Sequence, residues 1–114
     1  MEKEKFTLLL MKDAEDFLRS IPDNAKDKIY YNIYKIQMGE RDSEIFKKLG
    51  ESDIWEFRTL YDKKVYRLFA FWDTEEDTLV IATHGIVKKT QKTPPKEIAK
   101  AEALRNEYFN DKEK

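Results

Sequence analysis

Arginine and lysine residues in the C-terminal half of the chain have the types and the spacing to bind a phosphate group. Arg58 and Arg67 lie in two stretches that alternate between apolar and polar residues, and Lys88 and Lys89 follow a third. Three such stretches, separated by short charged turns, predict an antiparallel meander of β-strands. The planar guanidinium group suits phosphate geometry, so the pattern indicates a phosphate site on this sheet.

The expected strand register places the two arginines opposite each other. A tight turn centred on residues 62–63 pairs Arg58 with Arg67. Like charges directly opposite on a sheet are destabilising, and a bound phosphate would offset that repulsion. An ordinary surface ion pair between Glu56 and Arg58 is the competing explanation.

His84 is the only histidine in the chain, and it falls near these cations. If residues 74–77 form the second loop, His84 pairs with Arg67. Positive neighbours lower the pKa of an imidazole and favour its neutral form, which can act as a base. A packed strand histidine is the alternative. Gly85, which follows, permits close approach of another part of the chain.

Charge is distributed unevenly, although the net charge is only −1. Residues 84–100 contain five lysines, opposed only by Glu97. A local positive field can attract a polyanion even when the whole molecule is nearly neutral. A solvated, lysine-rich loop explains the same composition.

Several classes of site are excluded or disfavoured. Without cysteine there are no disulfides, thiolate metal sites or cysteine nucleophiles, and one histidine makes a histidine-based metal site improbable. We therefore expect no metal and no cofactor. No apolar stretch approaches the roughly 20 residues that span a bilayer, and the charged first five residues are unlike a signal peptide. These features favour a cytoplasmic protein.

Hydrophobic periodicity predicts a single α+β domain over residues 1–114. We expect a small, curved antiparallel sheet, built from an N-terminal strand and the meander, with an N-terminal helical hairpin and a C-terminal helix, and with the helices on one side. The expected elements are a strand at 6–11, helices at 13–21 and from 23 or 24 to 39, strands at 54–61, 65–73 and 78–87, and a helix entered at Pro94 and Pro95. The residues expected on the core face of the meander are Trp55, Phe57, Leu68, Trp72, Leu79 and Ile81.

Several motifs together resemble the HigB-like, phage-derived branch of the RelE/ParE toxins. They are Lys48-Leu49-Gly50, Ile54-Trp55-Glu56-Phe57-Arg58, Val65-Tyr66-Arg67-Leu68, His84-Gly85 and Lys88-Lys89-Thr90-Gln91-Lys92-Thr93-Pro94. Each motif is weak alone, but the set is specific and covers about residues 47–108. The resemblance implies a RelE-like fold.

It also implies a function. Such a protein would be the toxin of a type II toxin–antitoxin system, an endoribonuclease that cleaves mRNA on the ribosome. Cleavage would use attack by the 2′-hydroxyl on the adjacent phosphate, without a metal. The implied partners are the ribosome, its mRNA and a cognate antitoxin, often a helix-turn-helix protein. A ParE-like toxin that inhibits a protein such as DNA gyrase, without chemistry, is the alternative.

The resemblance assigns roles to residues of the meander and of the segment after it. Arg67 and Lys89 would stabilise transition-state charge, Arg58 would position phosphates at the catalytic centre, and His84 is the candidate base. The residues expected to bind RNA are Lys88, Thr90, Gln91 and Lys92. Ile86 replaces an aromatic residue usual in this branch, so a stacking contact is expected to be lost.

Overall fold

The computed structural model describes residues 4–76, 79–88 and 92–113, and only the backbone of residues 79–81. Within these residues the chain forms five strands, three helices and a short 3₁₀ turn at Thr74–Glu76. In chain order the main elements are β1 (Thr7–Leu10), α1 (Lys12–Ser20), α2 (Asp23–Gln37), β2 (Phe46–Lys48), β3 (Trp55–Tyr61), β4 (Lys64–Asp73), β5 (Leu79–Lys88) and α3 (Pro95–Lys112). The expected α+β class, helical hairpin and terminal helix are confirmed.

The strands form one sheet in the order β1-β5-β4-β3-β2. Strands β3, β4 and β5 pair antiparallel, which confirms the meander. Strand β1 joins β5 in parallel, and the unpredicted β2 pairs antiparallel with β3. The sheet is therefore mixed, and the prediction that the N-terminal strand belongs to an antiparallel sheet is wrong. Two neighbouring parallel strands need a long crossover connection between them. The connection from β1 to β5 consists of α1, α2, β2, β3 and β4.

The turn between β3 and β4 fixes the register of the two arginines. Asp62 and Lys63 both have positive φ, 50° and 64°, as a type I′ hairpin requires. This turn places Arg58 opposite Arg67, as the sequence predicts.

The expected register between β4 and β5 is wrong. Arg67 lies opposite Ile86, and His84 lies opposite Phe69. The register shifts beside Phe69, where a bulge on β5 inserts Thr83 as an extra residue. The loop is also longer than assumed, and its residues 77 and 78 lie outside the described part of the chain.

Both faces of the sheet are covered, because β4 is buried at every position from Val65 to Phe71. On one face, Phe57 and Leu68 join the buried residues of α1 and α2, with Trp72 packed against them. On the other, Phe69 and Phe71 pack with Ala101 of α3. We call these the hairpin face and the α3 face.

The prediction that all helices lie on one side of the sheet is therefore wrong. Successive strand residues point to opposite faces, and α3 covers the face opposite the α1–α2 hairpin. The predicted core face is confirmed for Trp55, Phe57, Leu68 and Trp72, with Trp55 stacked on Phe46. The side chains of Leu79 and Ile81 lie outside the description. Among the described helices, none has the length and apolar character to cross a bilayer.

Candidate functional site

A buried ion pair lies at the centre of the α3 face. Arg67 and Glu56 are 1% and 0% exposed, and Nη1 of Arg67 donates to Oε1 of Glu56. Glu56 lies opposite Phe69, so it reaches Arg67 diagonally across β3 and β4. A buried charge is tolerated only with a partner, which explains why these two residues occur together.

Thr93 completes this arrangement from outside the sheet. Its Oγ1 donates to Oε2 of Glu56 over 2.7 Å and accepts from Nη1 of Arg67 over 3.3 Å. Thr93 lies at the end of the segment joining β5 to α3, directly before Pro94 and Pro95. The Glu56–Arg67–Thr93 network therefore ties that segment to the middle of the sheet.

Basic residues surround the network on the α3 face. Arg58 lies opposite Arg67, and Lys47 of β2 lies opposite Glu56. Lys88 lies opposite Val65, two residues along β4 from Arg67, and so shares its face.

Lys92 belongs to the same region because it lines a groove with Lys47 and Thr93. The groove has a volume of about 510 Å³, and Glu51 is also among its lining residues. We call Lys47, Arg58, Lys88 and Lys92 the basic rim. Arg58 is half-buried, whereas the three lysines are exposed.

The structure thus brings together four of the eight predicted site residues. Arg58, Arg67, Lys88 and Lys92 lie around one region of the α3 face, although Arg67 is buried and paired with Glu56. Lys89, Thr90 and Gln91 lie outside the described residues. Lys47 and Thr93 were not predicted as site residues. Lys47 belongs to a three-residue strand, too short to show an alternating pattern.

His84 is buried on the α3 face with both ring nitrogens engaged. Nε2 is 3.2 Å from Oε1 of Glu97, and Nδ1 is 3.0 Å from Oγ1 of Thr83. A carboxylate only accepts hydrogen bonds, so Nε2 donates to Glu97. The Thr83 hydroxyl, which contacts Nδ1, also donates to the carbonyl oxygen of Phe69 over 3.2 Å. Burial lowers the pKa of His84, and the hydrogen bond to Glu97 offsets only part of this.

This geometry is that of a packed strand histidine, and its role as the base stays a prediction. The described residues include no group of three histidine, aspartate or glutamate side chains placed to hold a metal ion.

Gly85 allows the close approach that the sequence predicts. A Cβ atom at this position would lie 2.3 Å from Cδ2 of Phe17 in α1. The residue beside His84 therefore has to be small because the ring of Phe17 occupies that space. This contact belongs to the hairpin face, so β5 is packed tightly on both sides.

A second buried charge anchors the far end of α3. Asp73, 1% exposed, accepts hydrogen bonds from the hydroxyl of Tyr108 at 2.6 Å and Nζ of Lys112 at 2.7 Å. Burial by itself would raise the pKa of Asp73, but these two donors lower it below its ordinary value. Burial and the bond to Asp73 raise the pKa of Tyr108 to about 12. Tyr108 thus holds α3 against the sheet.

Solved structures share this architecture. A free-state arginine-to-alanine double mutant of the E. coli toxin RelE superimposes with a TM-score of 0.62, at 16% identity over 89% of this chain and 97% of that one. RelE in the intact E. coli RelBE toxin–antitoxin complex gives 0.55, at 16% identity over 75% and 98%. The isolated E. coli RelE toxin gives 0.53, at 17% identity over 88% and 96%. At these identities the likeness establishes the fold.

Family membership rests on a separate comparison. Among curated proteins, none matches this chain. The model of the family described as "Phage derived protein Gp49-like (DUF891)" matches residues 16–106, which include α2, the whole meander and most of α3. The chain therefore belongs to the phage-derived Gp49-like family and has the fold of the RelE toxins, as the resemblance implied.

Proposed function

We propose that this protein is the toxin of a toxin–antitoxin system and acts as an mRNA endoribonuclease on the ribosome. The observation that carries the proposal is the basic rim. Its four cations come from β2, β3, β5 and the segment after β5, yet Arg58 and Lys88 lie on one face of the sheet, and Lys47 and Lys92 line a groove beside it. Cations that converge from separate parts of a chain suit a phosphate backbone.

The proposed reaction is attack of an RNA 2′-hydroxyl on the adjacent phosphate, with the 5′-oxygen of the next nucleotide as the leaving group. Negative charge grows on the phosphate in the transition state, and fixed cations stabilise it. In this proposal Arg58 and Lys88 contact the reacting phosphate, and Lys47 and Lys92 hold its neighbours. Lys89, Thr90 and Gln91 add contacts from the same segment. His84 is the candidate base, and a desolvated lysine would replace it if the enclosed imidazole is purely structural.

The RNA proposal is tested by inducing expression and mapping mRNA ends within ribosome-protected codons. The wild-type protein should arrest translation and produce cuts inside those codons. Arg58→Ala should lower the cleavage rate by roughly 100-fold, as expected when one preorganised charge is removed from a transition state. Arg19→Ala is the matched control, since Arg19 is an exposed arginine of α1 that forms a 3.6 Å ion pair with Glu15.

Two outcomes would contradict this function. The first is growth arrest with intact mRNA and loss of gyrase supercoiling, which would indicate a ParE-like inhibitor. The second is an Arg58→Ala variant that cleaves as well as Arg19→Ala, which would remove the basic rim from the mechanism.

We further propose that a cognate antitoxin, of the helix-turn-helix type, holds this protein inactive in the cytoplasm. Support comes from the RelBE structure, in which a protein of this fold is bound to its antitoxin. Co-expression with the product of the neighbouring gene should restore growth and yield a complex in gel filtration. Unrelieved toxicity with that gene, and no complex, would contradict the assignment.

A further inference from the structure

Basic residues are concentrated between β5 and α3, and the structure describes the last part of this connection, residues 92–94, which we call the lysine segment. β5 ends at Lys88, and the lysine segment leads into α3. Lys92 is exposed and Thr93 is half-buried. The side-chain hydroxyl of Thr93 attaches this segment to the sheet through Glu56 and Arg67.

The attachment point on the sheet is unusual because it is a fully buried carboxylate. Oε1 of Glu56 receives Arg67 and Oε2 receives Thr93, so the two oxygens have different partners. An arginine on one oxygen fixes the carboxylate plane and leaves the other oxygen aimed at the segment. Charge-assisted hydrogen bonds of this kind are stronger than neutral ones.

We propose that Glu56 and Thr93 form a latch that docks the lysine segment onto the sheet, with Arg67 as the residue that holds the latch in position. In this arrangement Glu56, Thr93 and Arg67 are positioning residues, and the basic rim makes the contacts with RNA. The inference deepens the proposed function, on which its activity readout rests.

The latch also accounts for two arginines lying opposite each other on the sheet. Glu56 neutralises Arg67 within the protein, so the repulsion expected between Arg58 and Arg67 is reduced without any ligand. Arg58 is half-buried, whereas Arg67 is 1% exposed. Arg67 thus positions the site from inside the protein, while Arg58 reaches the surface.

The test removes the hydroxyl of Thr93 and keeps its shape. In Thr93→Val the segment should open more often, and trypsin should cut after Lys92 about tenfold faster, the factor expected for a lost hydrogen bond to a buried charged group. Mass spectrometry of the earliest fragments identifies the cuts. Thr93→Ser, which keeps the hydroxyl, should be cut within about twofold of the wild-type rate.

Thr59→Val is the matched control. Thr59 is 1% exposed and its hydroxyl accepts from Asn32 over 3.1 Å, but it lies on the hairpin face. Thr59→Val should lower the unfolding midpoint about as much as Thr93→Val, without faster cutting in the lysine segment. Equal cutting of the segment in Thr93→Val and in the wild type would overturn the latch.

Enzyme kinetics separate positioning from simple stability. In Thr93→Val we expect kcat on ribosome-bound mRNA to fall about tenfold while KM changes less than about twofold. The lysines would still attract RNA but would no longer hold the reacting phosphate in position for attack. Unchanged kcat in Thr93→Val would refute the positioning role. If the wild-type protein cleaves no RNA, the proposed function fails, and the trypsin result still decides whether the latch exists.

Discussion

On the hairpin face, the sheet contributes Phe57, Leu68 and Ala70 to a cluster of buried apolar residues, whereas on the α3 face its most buried side chains include Glu56 and Arg67. Both faces exclude water and both are covered by helices. The apolar cluster of the hairpin face needs only complementary shape, since apolar burial is non-directional. The α3 face needs a specific partner for each polar group.

Several of those partners join the sheet to α3 or to the segment before it. Glu56 binds Thr93, His84 contacts Glu97, and Asp73 binds Tyr108 and Lys112. Replacing a buried ion pair with apolar residues often leaves a protein equally or more stable, so stability alone does not explain these groups. They fix where α3 and the lysine segment lie, beside the basic rim.

The largest effect that separates the two faces is expected from Arg67→Ala. This change leaves Glu56 buried without its arginine, and losing one partner of a buried pair costs about 3–5 kcal/mol of the free energy of unfolding. Urea denaturation followed by circular dichroism measures that loss. A cost below about 1 kcal/mol would mean that Glu56 is readily hydrated or protonated in the variant.

The double variant Glu56→Leu/Arg67→Met tests whether the unpaired Glu56 causes the loss of stability in Arg67→Ala. With both charges gone and similar volumes in place, most of the lost stability should return. Cleavage of mRNA should remain low, because Thr93 has lost both of its partners on the sheet. If the double variant is as unstable as Arg67→Ala, the α3 face depends on the ion pair for stability after all.

A smaller effect is expected from Gly85→Ala, which tests the hairpin face. The added methyl group would lie 2.3 Å from Cδ2 of Phe17, so the ring must move. Overpacking of this kind costs about 1–3 kcal/mol, measurable as a lower urea midpoint.

Phe17→Leu in the Gly85→Ala background should recover part of that loss, because the smaller side chain makes room. The recovery should be absent when Phe17→Leu is made alone, where it only removes packing. If the stability losses of the two single variants simply add in the double variant, the two residues do not compete for space.

Much of the fold follows from periodicity and turn chemistry. Alternating apolar residues predict β3, β4 and β5, and the turn at Asp62 and Lys63 gives the correct register of β3 with β4. Strand β2 was not predicted because its three residues include Lys47 and Lys48, and such a short strand is fixed by its neighbour. The bulge at Thr83 was also missed, since a single extra residue leaves no compositional signal.

The position of the site was predicted more accurately than the contacts within it. Residue types along β3 to β5 indicate cations on one face, and the register confirms that Arg58 and Arg67 are neighbours. The sequence does not reveal that Arg67 pairs with Glu56, because that depends on how α3 covers the sheet. A buried Glu56–Arg67 pair and an exposed arginine row have the same sequence pattern, and only the placement of α3 and Thr93 distinguishes them.

The smallest expected effect is a dependence of stability on pH that belongs to the α3 face. Burial holds the pKa of His84 below its ordinary value of 6.5, with Lys100 acting in the same direction and Glu97 and Asp13 opposing. Below about pH 6.5 the unfolded chain therefore binds a proton that the folded chain does not. Stability should fall as the pH drops through this window, by at most about 1.4 kcal/mol per pH unit, the limit for one proton.

Urea midpoints of the wild type and of His84→Gln at pH 7.5, 6.5 and 5.5 isolate this contribution, because the chain has no other histidine. Carboxylates titrate in both proteins and cancel in the difference between them. The gap between the two free energies of unfolding should narrow as the pH falls, since only the wild type loses the stability of a neutral, enclosed imidazole. A constant gap would mean that His84 is protonated as easily in the folded protein as in the unfolded chain. In that case its imidazole is open to water and remains available as a base.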